Sequence, residues 1–352
     1  MEGRRVGFTQ RVSHGVLQFR THHRGCRPHP RTVGPALANM DISVILPTYN
    51  RIEVLRRTLQ LYAQQEGVTG RFELLVIDDG SSDGTPGLLA ELAPRLAYPL
   101  RWGVMPGNAG PSAARNRAMA DARGRLLYFT GDDILPTPRL LAEHLHWHDV
   151  RHPQDSVGVL GQVRWAEELA PTPFMRWLES SGTQFGYASL DDGQRADYGY
   201  LYTSNVSVKR AFVEATGERF DERLRFCEDS EWGLRLSRHG FELRYNANAL
   251  GDHLHPTTIA SSLQRMHALG EAAAALRERS PENFRRITAG LFEPARHRRL
   301  GLLRAALHPL LSRSVYEPLA RLCEKRLVAD RVYAACHAAH FLQALSAAGR
   351  PR

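Results

Sequence analysis

The chain has 352 residues and a formal net charge of +9, and 43% of its residues are hydrophobic while 24% are charged. That composition is typical of a soluble globular protein and excludes a collagen-like, low-complexity or disulfide-stapled chain. No run reaches the ~18 uninterrupted apolar residues of a membrane-spanning helix. The four cysteines form no C-x-x-C pair, so we expect neither a disulfide framework nor a zinc knuckle, and a cytoplasmic location.

The positive charge lies at the two ends of the chain. Residues 1–39 contain seven Arg and one acidic residue, and residues 285–352 contain 13 basic and four acidic residues. Residues 40–284 contain 26 basic and 32 acidic residues, so the body of the protein is acidic. Nucleic-acid binding would depend wholly on the basic ends, and we therefore expect no nucleic-acid partner.

Residues 1–39 show no helical or strand periodicity and lack the apolar core of a secretory signal. Their Arg-rich, acid-poor composition also fits a transit peptide. Met40 is a second candidate start, because a strand pattern follows it directly. We interpret 1–39 as a disordered or spurious leader and leave it out of the fold prediction.

From Met40 onward, apolar strands alternate with amphipathic helices. Ile42–Leu46 reads as a buried strand, and Asn50 is predicted to cap a helix that presents Leu55 and Leu59 on one face. This rhythm predicts an α/β fold with a doubly wound, parallel sheet whose ligands bind at the carboxyl ends of the strands. Further strands are predicted over 72–77, 99–104 and 126–129, and helices over 86–93 and 111–122.

Beyond residue 150 the pattern becomes mixed, so for the whole domain we expect a doubly wound mixed sheet flanked by helices. The stretch 166–200 is rich in Pro and Gly, and we interpret it as a long irregular insertion that forms a substrate flap. Strands are predicted over 157–163 and 201–208, an edge segment over 245–252, and helices over 229–238 and 258–278. Residues 285–352 are predicted to form a basic helical extension with amphipathic stretches over 298–313 and 316–346.

Three acidic loops follow predicted strands, and in such a sheet they converge on one crevice. They are Asp78-Asp79-Gly80-Ser81-Ser82-Asp83-Gly84, then Gly131-Asp132-Asp133, then Glu228-Asp229. Taken singly, each has an ordinary structural explanation: an Asx turn, a helix N-cap, and acids placed at a helix N-terminus. Neither a dinucleotide fingerprint nor a phosphate-binding P-loop is present in the sequence.

Taken together, these residues resemble the family 2 glycosyltransferases, which have the nucleotide-diphospho-sugar (GT-A) fold. The resemblance covers about residues 41–255. It rests on Pro47-Thr48-Tyr49-Asn50-Arg51, Ile77-Asp78-Asp79-Gly80-Ser81-Ser82-Asp83-Gly84-Thr85, Asn108-Ala109-Gly110-Pro111-Ser112-Ala113-Ala114-Arg115-Asn116, Thr203 to Arg210, Phe220-Asp221-Glu222, and Glu228-Asp229-Ser230-Glu231-Trp232.

The resemblance implies a role for each matching position. Asp229 is the expected catalytic base, and Asp133 with His253 is the expected site for Mn²⁺ or Mg²⁺, with His255 as an alternative to His253. Gly131 stands where the commonest family pattern has a first Asp, which leaves metal binding to the later carboxylates. The substrate-binding positions expected for nucleotide, diphosphate and sugar are Pro47, Thr48, Tyr49, Asp79, Arg115, Asp132 and Glu228.

His144 and His148 share a helix face at a spacing that would also suit a metal. We favour packing or solvent-exposed histidines there. Cys227 adjoins the expected base, and we interpret it as a small packing residue.

The sequence therefore predicts an inverting, metal-dependent transfer of a sugar from a nucleoside-diphosphate sugar to a hydroxyl acceptor. By family habit the acceptor is a surface polysaccharide or lipid-linked glycan. Two alternatives stay open: a non-catalytic nucleotide-sugar-binding scaffold of the same fold, and a sugar nucleotidyltransferase. The second would require a Gly-rich basic loop that residues 46–58 do not contain.

The basic C-terminal stretch leaves two interpretations open. Leucines that alternate with Arg over 298–313 would suit a peripheral contact of 298–346 with an anionic membrane. The same pattern would suit a helical cap packed on the domain with a solvated Arg face, which we favour.

Overall fold

A computed structural model describes residues 40–292 and 330–348. The predicted leader 1–39, the stretch 298–313 and the first part of 316–346 lie outside the described residues. Within the described ranges one mixed sheet contains nine strands. They are β1 (Ile42–Thr48), β2 (Phe72–Asp78), β3 (Leu100–Val104), β4 (Leu126–Thr130), β5 (Ile134–Pro136), β6 (Val157–Trp165), β7 (Arg195–Ala196), β8 (Asn205–Lys209) and β9 (Glu242–His253).

Ten α-helices connect or cover these strands in the part of the chain that is described. They are α1 (Ile52–Tyr62), α2 (Thr85–Leu92), α3 (Pro111–Asp121), α4 (Leu140–His146), α5 (Pro173–Ser180), α6 (Arg210–Thr216), α7 (Glu228–Arg238), α8 (Ile259–Arg279), α9 (Pro281–Phe292) and α10 (Asp330–Ala348). A π-helical turn, Trp147–Arg151, directly follows α4.

The strand order is β3-β2-β1-β4-β8-β6-β9-β5, and β7 pairs with β9. Strands β1 to β4 are parallel, whereas β8 runs antiparallel to both β4 and β6. This arrangement confirms the predicted doubly wound mixed sheet flanked by helices. The predicted edge segment 245–252 is part of β9, and short strands pair with the outer side of β9 only near its two ends: β7 with Leu243 and Arg244, and β5 with residues 251–253.

Alternate side chains of β1 enter two separate cores. Val44 and Leu46 pack with Leu55 and Leu59 of α1, while Ile45 packs with the opposite cluster that contains Trp232 of α7. All of these side chains are buried. A strand covered on both faces reads as a continuous apolar run, which is why the parallel half of the sheet is legible in the sequence.

The start of α1 differs from the prediction. Asn50 does not cap the helix; it has a positive φ of 51°, and its side-chain oxygen accepts the backbone N–H of Ser82 at 2.8 Å. The first N–H of the helix, at Ile52, donates instead to Asp83 Oδ2 at 2.9 Å. The cap therefore comes from the loop after the next strand, a tertiary contact that local sequence does not indicate.

The prediction of an irregular flap over 166–200 is wrong in part, because α5 lies inside it. Thr172 caps α5 by accepting the Met175 N–H at 3.2 Å, and Pro173 occupies its first turn. Phe174 and Trp177 of α5 are buried against a cluster that includes Leu263 of α8. This segment is therefore anchored to the C-terminal helices through its apolar face.

Helices α8 and α10 pack closely. A Cβ placed on Gly270 would lie 2.4 Å from the carbonyl oxygen of Phe341, so only a glycine fits at this crossing. The described end of the chain is thus packed on the domain. The predicted domain boundary after residue 284 falls inside α9, and the division stays a prediction.

His144 and His148 lie in the core, as favoured from the sequence. Ser207 Oγ lies 2.8 Å from His144 Nδ1 and 2.8 Å from His148 Nε2, and His144 Nε2 lies 2.8 Å from Asn205 Oδ1. Burial lowers the pKa of His144 to about 4, so the ring is neutral at physiological pH. These histidines stabilise a buried polar network.

Candidate active site

The ends of the central strands bring the predicted acidic loops to one edge of the sheet. Thr48 at the end of β1 is in register with Asp78 at the end of β2, and β4 ends beside β1 just before Gly131. Ile134, which directly follows Asp132 and Asp133, is in register with His253 of β9. The register therefore places the 131–133 loop between the nucleotide-side loops and the histidine strand.

The adjacent carboxylates Asp132 and Asp133 are held in one cluster with Arg51. Thr48 Oγ1 donates to Asp132 Oδ2 at 2.8 Å. Arg51 Nη1 donates to Asp132 Oδ1 at 3.1 Å and to Asp133 Oδ2. The opposite charge of the guanidinium compensates the repulsion between the two carboxylates, which explains how two adjacent acids are accommodated in a largely buried position.

The two carboxyl groups of this cluster differ in proton affinity. Burial and the neighbouring charge of Asp133 raise the pKa of Asp132 to about 7. Burial also acts to raise the pKa of Asp133, but the hydrogen bond and charge of His253, together with Arg51, hold that pKa well below its usual value. Asp133 is therefore the carboxylate that stays ionised and available to a cation.

His253 is oriented by aromatic contacts. Its ring stacks on Trp165, with centroids 5.1 Å apart and planes at 20°, and His255 stacks on its other side with a centroid distance of 5.6 Å. Trp165 is fixed in turn by an indole N–H bond to the Met175 carbonyl at 2.9 Å. His253 Nε2 lies 3.4 Å from Asp133 Oδ2, so the two predicted metal ligands face each other.

The residues present suit a divalent cation that is completed by the substrate. Asp133 supplies an ionised oxygen and His253 an imidazole nitrogen, a donor set that Mn²⁺ accepts. Within residues 40–292 and 330–348, no group of three or more His, Cys, Asp or Glu is arranged as a metal centre. Two protein ligands leave the remaining positions to water or to phosphate oxygens, as is usual where a metal binds with a nucleotide.

The Asp79 side chain holds the neighbouring loop by accepting hydrogen bonds from the backbone of that loop. Its two carboxylate oxygens accept the N–H groups of Ala109 at 2.9 Å and Gly110 at 2.8 Å. Gly80 has a φ of +83°, and a Cβ there would lie 2.9 Å from the Cα of Gly107. Asp79 thus joins the β2 loop to the loop that precedes α3, and its predicted contact with base or ribose stays a prediction.

The other predicted nucleotide residues line the same end of the sheet. Pro47 is half-buried at the end of β1, and Tyr49 is 43% exposed in the loop that follows. The sequence analysis assigned no role to Asp78, whose Oδ2 is buried and has no hydrogen-bond partner among the described residues. Side chains of this kind are found where a ligand supplies the missing donor.

Asp229 lies in the first turn of α7. Its Oδ1 accepts the N–H of Ser230 at 2.7 Å. Cys227, the residue that precedes α7, has a left-handed backbone with a φ of 59°. Burial and the charge of Glu228 raise the pKa of Asp229 to about 6. A half-buried carboxylate with raised proton affinity has the property that a general base requires.

Glu228 and Arg115 form a buried ion pair beside Asp229. Arg115 Nη1 donates to Glu228 Oε1 at 2.7 Å, and the two side chains are 9% and 10% exposed. The guanidinium of Arg115 also lies over the ring of Phe220, 5.5 Å from its centroid. We predicted that both residues contact substrate; the structure places them against each other, and their contact with substrate stays a prediction.

Arg265 of α8 is a further residue that the sequence analysis missed. Its charge lowers the pKa of Asp229 and opposes the ionisation of the His255 ring, so both groups lie within its electrostatic reach. Arg265 Nη1 donates to Gln184 Oε1 at 2.9 Å in the segment that follows α5. The expected base and the histidine end of β9 therefore face one region under α8. The only indication of Arg265 in the sequence is its position as an exposed Arg on an amphipathic helix.

The mixed sheet flanked by helices is similar to the GT-A fold of solved glycosyltransferases. The family model for glycosyl transferase family 2 matches residues 43–192. The solved mannosyltransferase PcManGT from Pyrobaculum calidifontis, in complex with GDP-Man and Mn²⁺, superimposes with a TM-score of 0.59 over 91% of this chain and 90% of that one, at 19% identity. Residues 43–192 thus match the family 2 glycosyltransferases, and the fold is similar to the GT-A fold, as the motifs predict.

Curated relatives agree with this family. The uncharacterized glycosyltransferase YfnE of Bacillus subtilis (strain 168) is 28% identical over 63% of this chain and 67% of its own length. The succinoglycan biosynthesis protein ExoO of Rhizobium meliloti (strain 1021) is 29% identical over 54% of this chain and 53% of its own. The chain therefore spans between half and two thirds of these two relatives.

Proposed function

We propose that this protein transfers a sugar from a nucleoside-diphosphate sugar to a hydroxyl of a glycan or lipid-linked acceptor, with inversion at the anomeric carbon. The observation that carries this proposal is the placement of two acids: Asp133 Oδ2 lies 3.4 Å from His253 Nε2, and Asp229 lies half-buried in the first turn of α7, where its pKa is raised to about 6. The first arrangement suits a metal site, and the second suits a base.

In this proposal Asp229 accepts the proton of the acceptor hydroxyl as the hydroxyl oxygen attacks the anomeric carbon. The bond from that carbon to the diphosphate oxygen breaks in the same displacement, so the configuration is inverted. Asp133 and His253 would hold Mn²⁺ or Mg²⁺, which supplies positive charge for the departing nucleoside diphosphate. In the protein without substrate, Thr48 holds Asp132 and Arg51 contacts both Asp132 and Asp133.

The nucleotide would bind across Pro47 to Tyr49 and the Asp79 loop. Tyr49 is exposed there and offers an aromatic face, while the Asp78 carboxylate oxygen without a partner can accept an N–H or O–H group. The mannosyltransferase structure with GDP-Man and Mn²⁺ supports a nucleotide sugar and a divalent metal. The succinoglycan biosynthesis relative supports an acceptor in polysaccharide synthesis.

The proposal is tested by thermal shift with UDP, GDP, dTDP and CMP derivatives, each with and without Mn²⁺. A stabilisation that requires nucleotide and metal together supports it, and the nucleotide that gives the largest shift identifies the donor class. The anomeric configuration of the product is then read by NMR. A retained configuration would contradict the direct displacement, and shifts independent of metal would contradict the role of Asp133.

We also propose the peripheral membrane contact of residues 298–346 as a separate, weaker element. None of the helices in 40–292 and 330–348 combines the length and apolar character needed to cross a bilayer. Deleting the tail would remove α10, which packs on α8, so charge neutralisation is the better test. Binding of an Arg299→Gln, Arg304→Gln, Arg313→Gln variant to anionic vesicles that equals wild-type binding would exclude the contact.

A further inference from the structure

Arg51, which directly precedes α1, lies among the groups that would bind the metal. Its Nη1 bridges Asp132 Oδ1 and Asp133 Oδ2, and its Nη2 lies 3.4 Å from His255 Nδ1. The Arg51 side chain is 37% exposed, whereas Asp132 and Asp133 are 8% and 14% exposed. The long, partly exposed Arg51 side chain thus places one positive charge against two largely buried carboxylates.

One carboxylate oxygen, Asp133 Oδ2, faces Arg51 and both histidines. Asp133 Oδ2 accepts from Arg51, and it lies 3.4 Å from His253 Nε2 and 3.7 Å from His255 Nδ1. A divalent cation held by Asp133 and His253 would use this oxygen. A guanidinium in contact with that oxygen would repel the cation strongly at such short range. Both cations cannot occupy the position beside Asp133 Oδ2.

We propose that Arg51 is the counter-ion of the carboxylate pair in the nucleotide-free protein, and that it turns away from Asp133 to bind the donor diphosphate when a divalent cation binds. This inference rests on the proposed function, because it takes Asp133 and His253 as the metal ligands. The planar guanidinium presents paired N–H donors that match phosphate oxygens, so the diphosphate offers Arg51 a replacement partner.

A consequence is that metal and nucleotide bind cooperatively. Metal alone must displace Arg51 from Asp133 without giving it a new anion, so its affinity is low. Metal with a nucleoside diphosphate gives Arg51 that anion, so the displacement is compensated. The coupling between the two ligands is reciprocal and depends on the charge of residue 51.

The test is a Mn²⁺ titration followed by electron paramagnetic resonance, with and without UDP or GDP. It uses the wild type, Arg51→Gln, Arg51→Lys and a matched control, Arg57→Gln. Arg57 lies in α1, which directly follows Arg51, but pairs with the exposed Glu168. Without nucleotide we expect Arg51→Gln to bind Mn²⁺ about tenfold tighter than wild type, because the competing charge is gone. Arg51→Lys and Arg57→Gln should remain close to wild type.

For nucleotide binding we expect Arg51→Gln to have the opposite effect, a lower affinity than that of the wild type. Arg51→Gln should bind UDP or GDP about tenfold more weakly in the presence of Mn²⁺, because a charge-assisted bond to the diphosphate is lost. Its coupling between metal and nucleotide should fall correspondingly. If Arg51→Gln folds poorly, the double variant Arg51→Gln, Asp132→Asn removes one negative and one positive charge together and should show the same tighter Mn²⁺ binding.

Two results would count against the proposal and are distinguishable. If the wild type binds Mn²⁺ with nucleotide, but Arg51→Gln binds Mn²⁺ alone no more tightly than wild type, Arg51 does not compete with the metal and only this inference is wrong. If the wild type binds no Mn²⁺ with either nucleotide, the metal-dependent function and this inference are both wrong.

Discussion

The candidate active site contains two pairs of acids that are adjacent in sequence. One Arg forms ion pairs in each, and the two pairs differ in how many of their carboxylates that Arg contacts. Arg51 bridges both Asp132 and Asp133, whereas Arg115 pairs with Glu228 and leaves Asp229 without a direct cation partner. Burial acts to raise the pKa of Asp133, but the hydrogen bond and charge of His253, together with Arg51, lower it; burial and the charge of Glu228 raise the pKa of Asp229 to about 6. Two acids adjacent in sequence thus differ in proton affinity from one pair to the other, which supports the roles that we propose for Asp133 and Asp229.

The largest expected effect comes from breaking the second pair at its Arg. Arg115→Met leaves Glu228 buried without a counter-charge, and we expect it to lower the free energy of unfolding by about 3–5 kcal/mol. The double variant Arg115→Met, Glu228→Gln should recover most of this loss. Urea denaturation of the three proteins measures the effect, and equal stability of the single and double variants would show that the pair is not energetically coupled.

The next effect separates the two acids of that pair by function. Asp229→Asn retains the shape of the side chain but cannot accept the acceptor proton, so we expect kcat to fall about 10³-fold while donor binding is unchanged. Turnover of the identified nucleotide sugar measures it. Asp191→Asn, at an exposed position outside the site, serves as the matched control. Unaltered turnover in Asp229→Asn would mean that this residue is not the base.

The two carboxylates of the first pair should respond differently to the same substitution. Asp133→Asn removes the ionised ligand, and we expect Mn²⁺ affinity in the presence of nucleotide to fall by about 100-fold. Asp132→Asn changes a group whose pKa is already raised to about 7, so its effect should be much smaller. Isothermal titration of both variants checks the difference, and similar losses would contradict the division of roles.

The pH dependence of the reaction tests the raised pKa of Asp229. Because the base must be ionised, kcat/KM should be constant above the pKa of about 6 and fall tenfold per pH unit below it. The charge of Arg115 lowers this pKa, so in a folded Arg115→Gln variant the acid limb should move to higher pH. A limb that stays in place would show that another group titrates.

The smallest effect concerns the backbone before the base. Cys227 has a φ of 59°, a conformation that costs an L residue about 1 kcal/mol more than glycine. Cys227→Gly should therefore be about 1 kcal/mol more stable than Cys227→Ala, although both remove the same sulfur. Thermal unfolding of the two variants provides the comparison, and equal melting temperatures would argue against strain at this position.

Local patterns in the sequence were sufficient for the parallel half of the fold. The strands that end at Thr48, Asp78 and Thr130 are mostly apolar because helices cover both of their faces, and their polar ends mark the crevice. The helix α5 was missed because Pro and Gly dominate the composition around it. Its capping Thr172 and its buried aromatic residues become legible only against α8 and α10.

The sequence by itself determined the resemblance to the family 2 glycosyltransferases, the order of the strands along the chain, and the residues for which we propose a metal site and a base. Tertiary structure alone decided which Arg neutralises which acid. Arg51 is 81 residues from Asp132, and Arg115 is 113 residues from Glu228. The proton affinity of a carboxyl group depends on burial and on charges within a few ångströms, and neither quantity follows from neighbours in sequence.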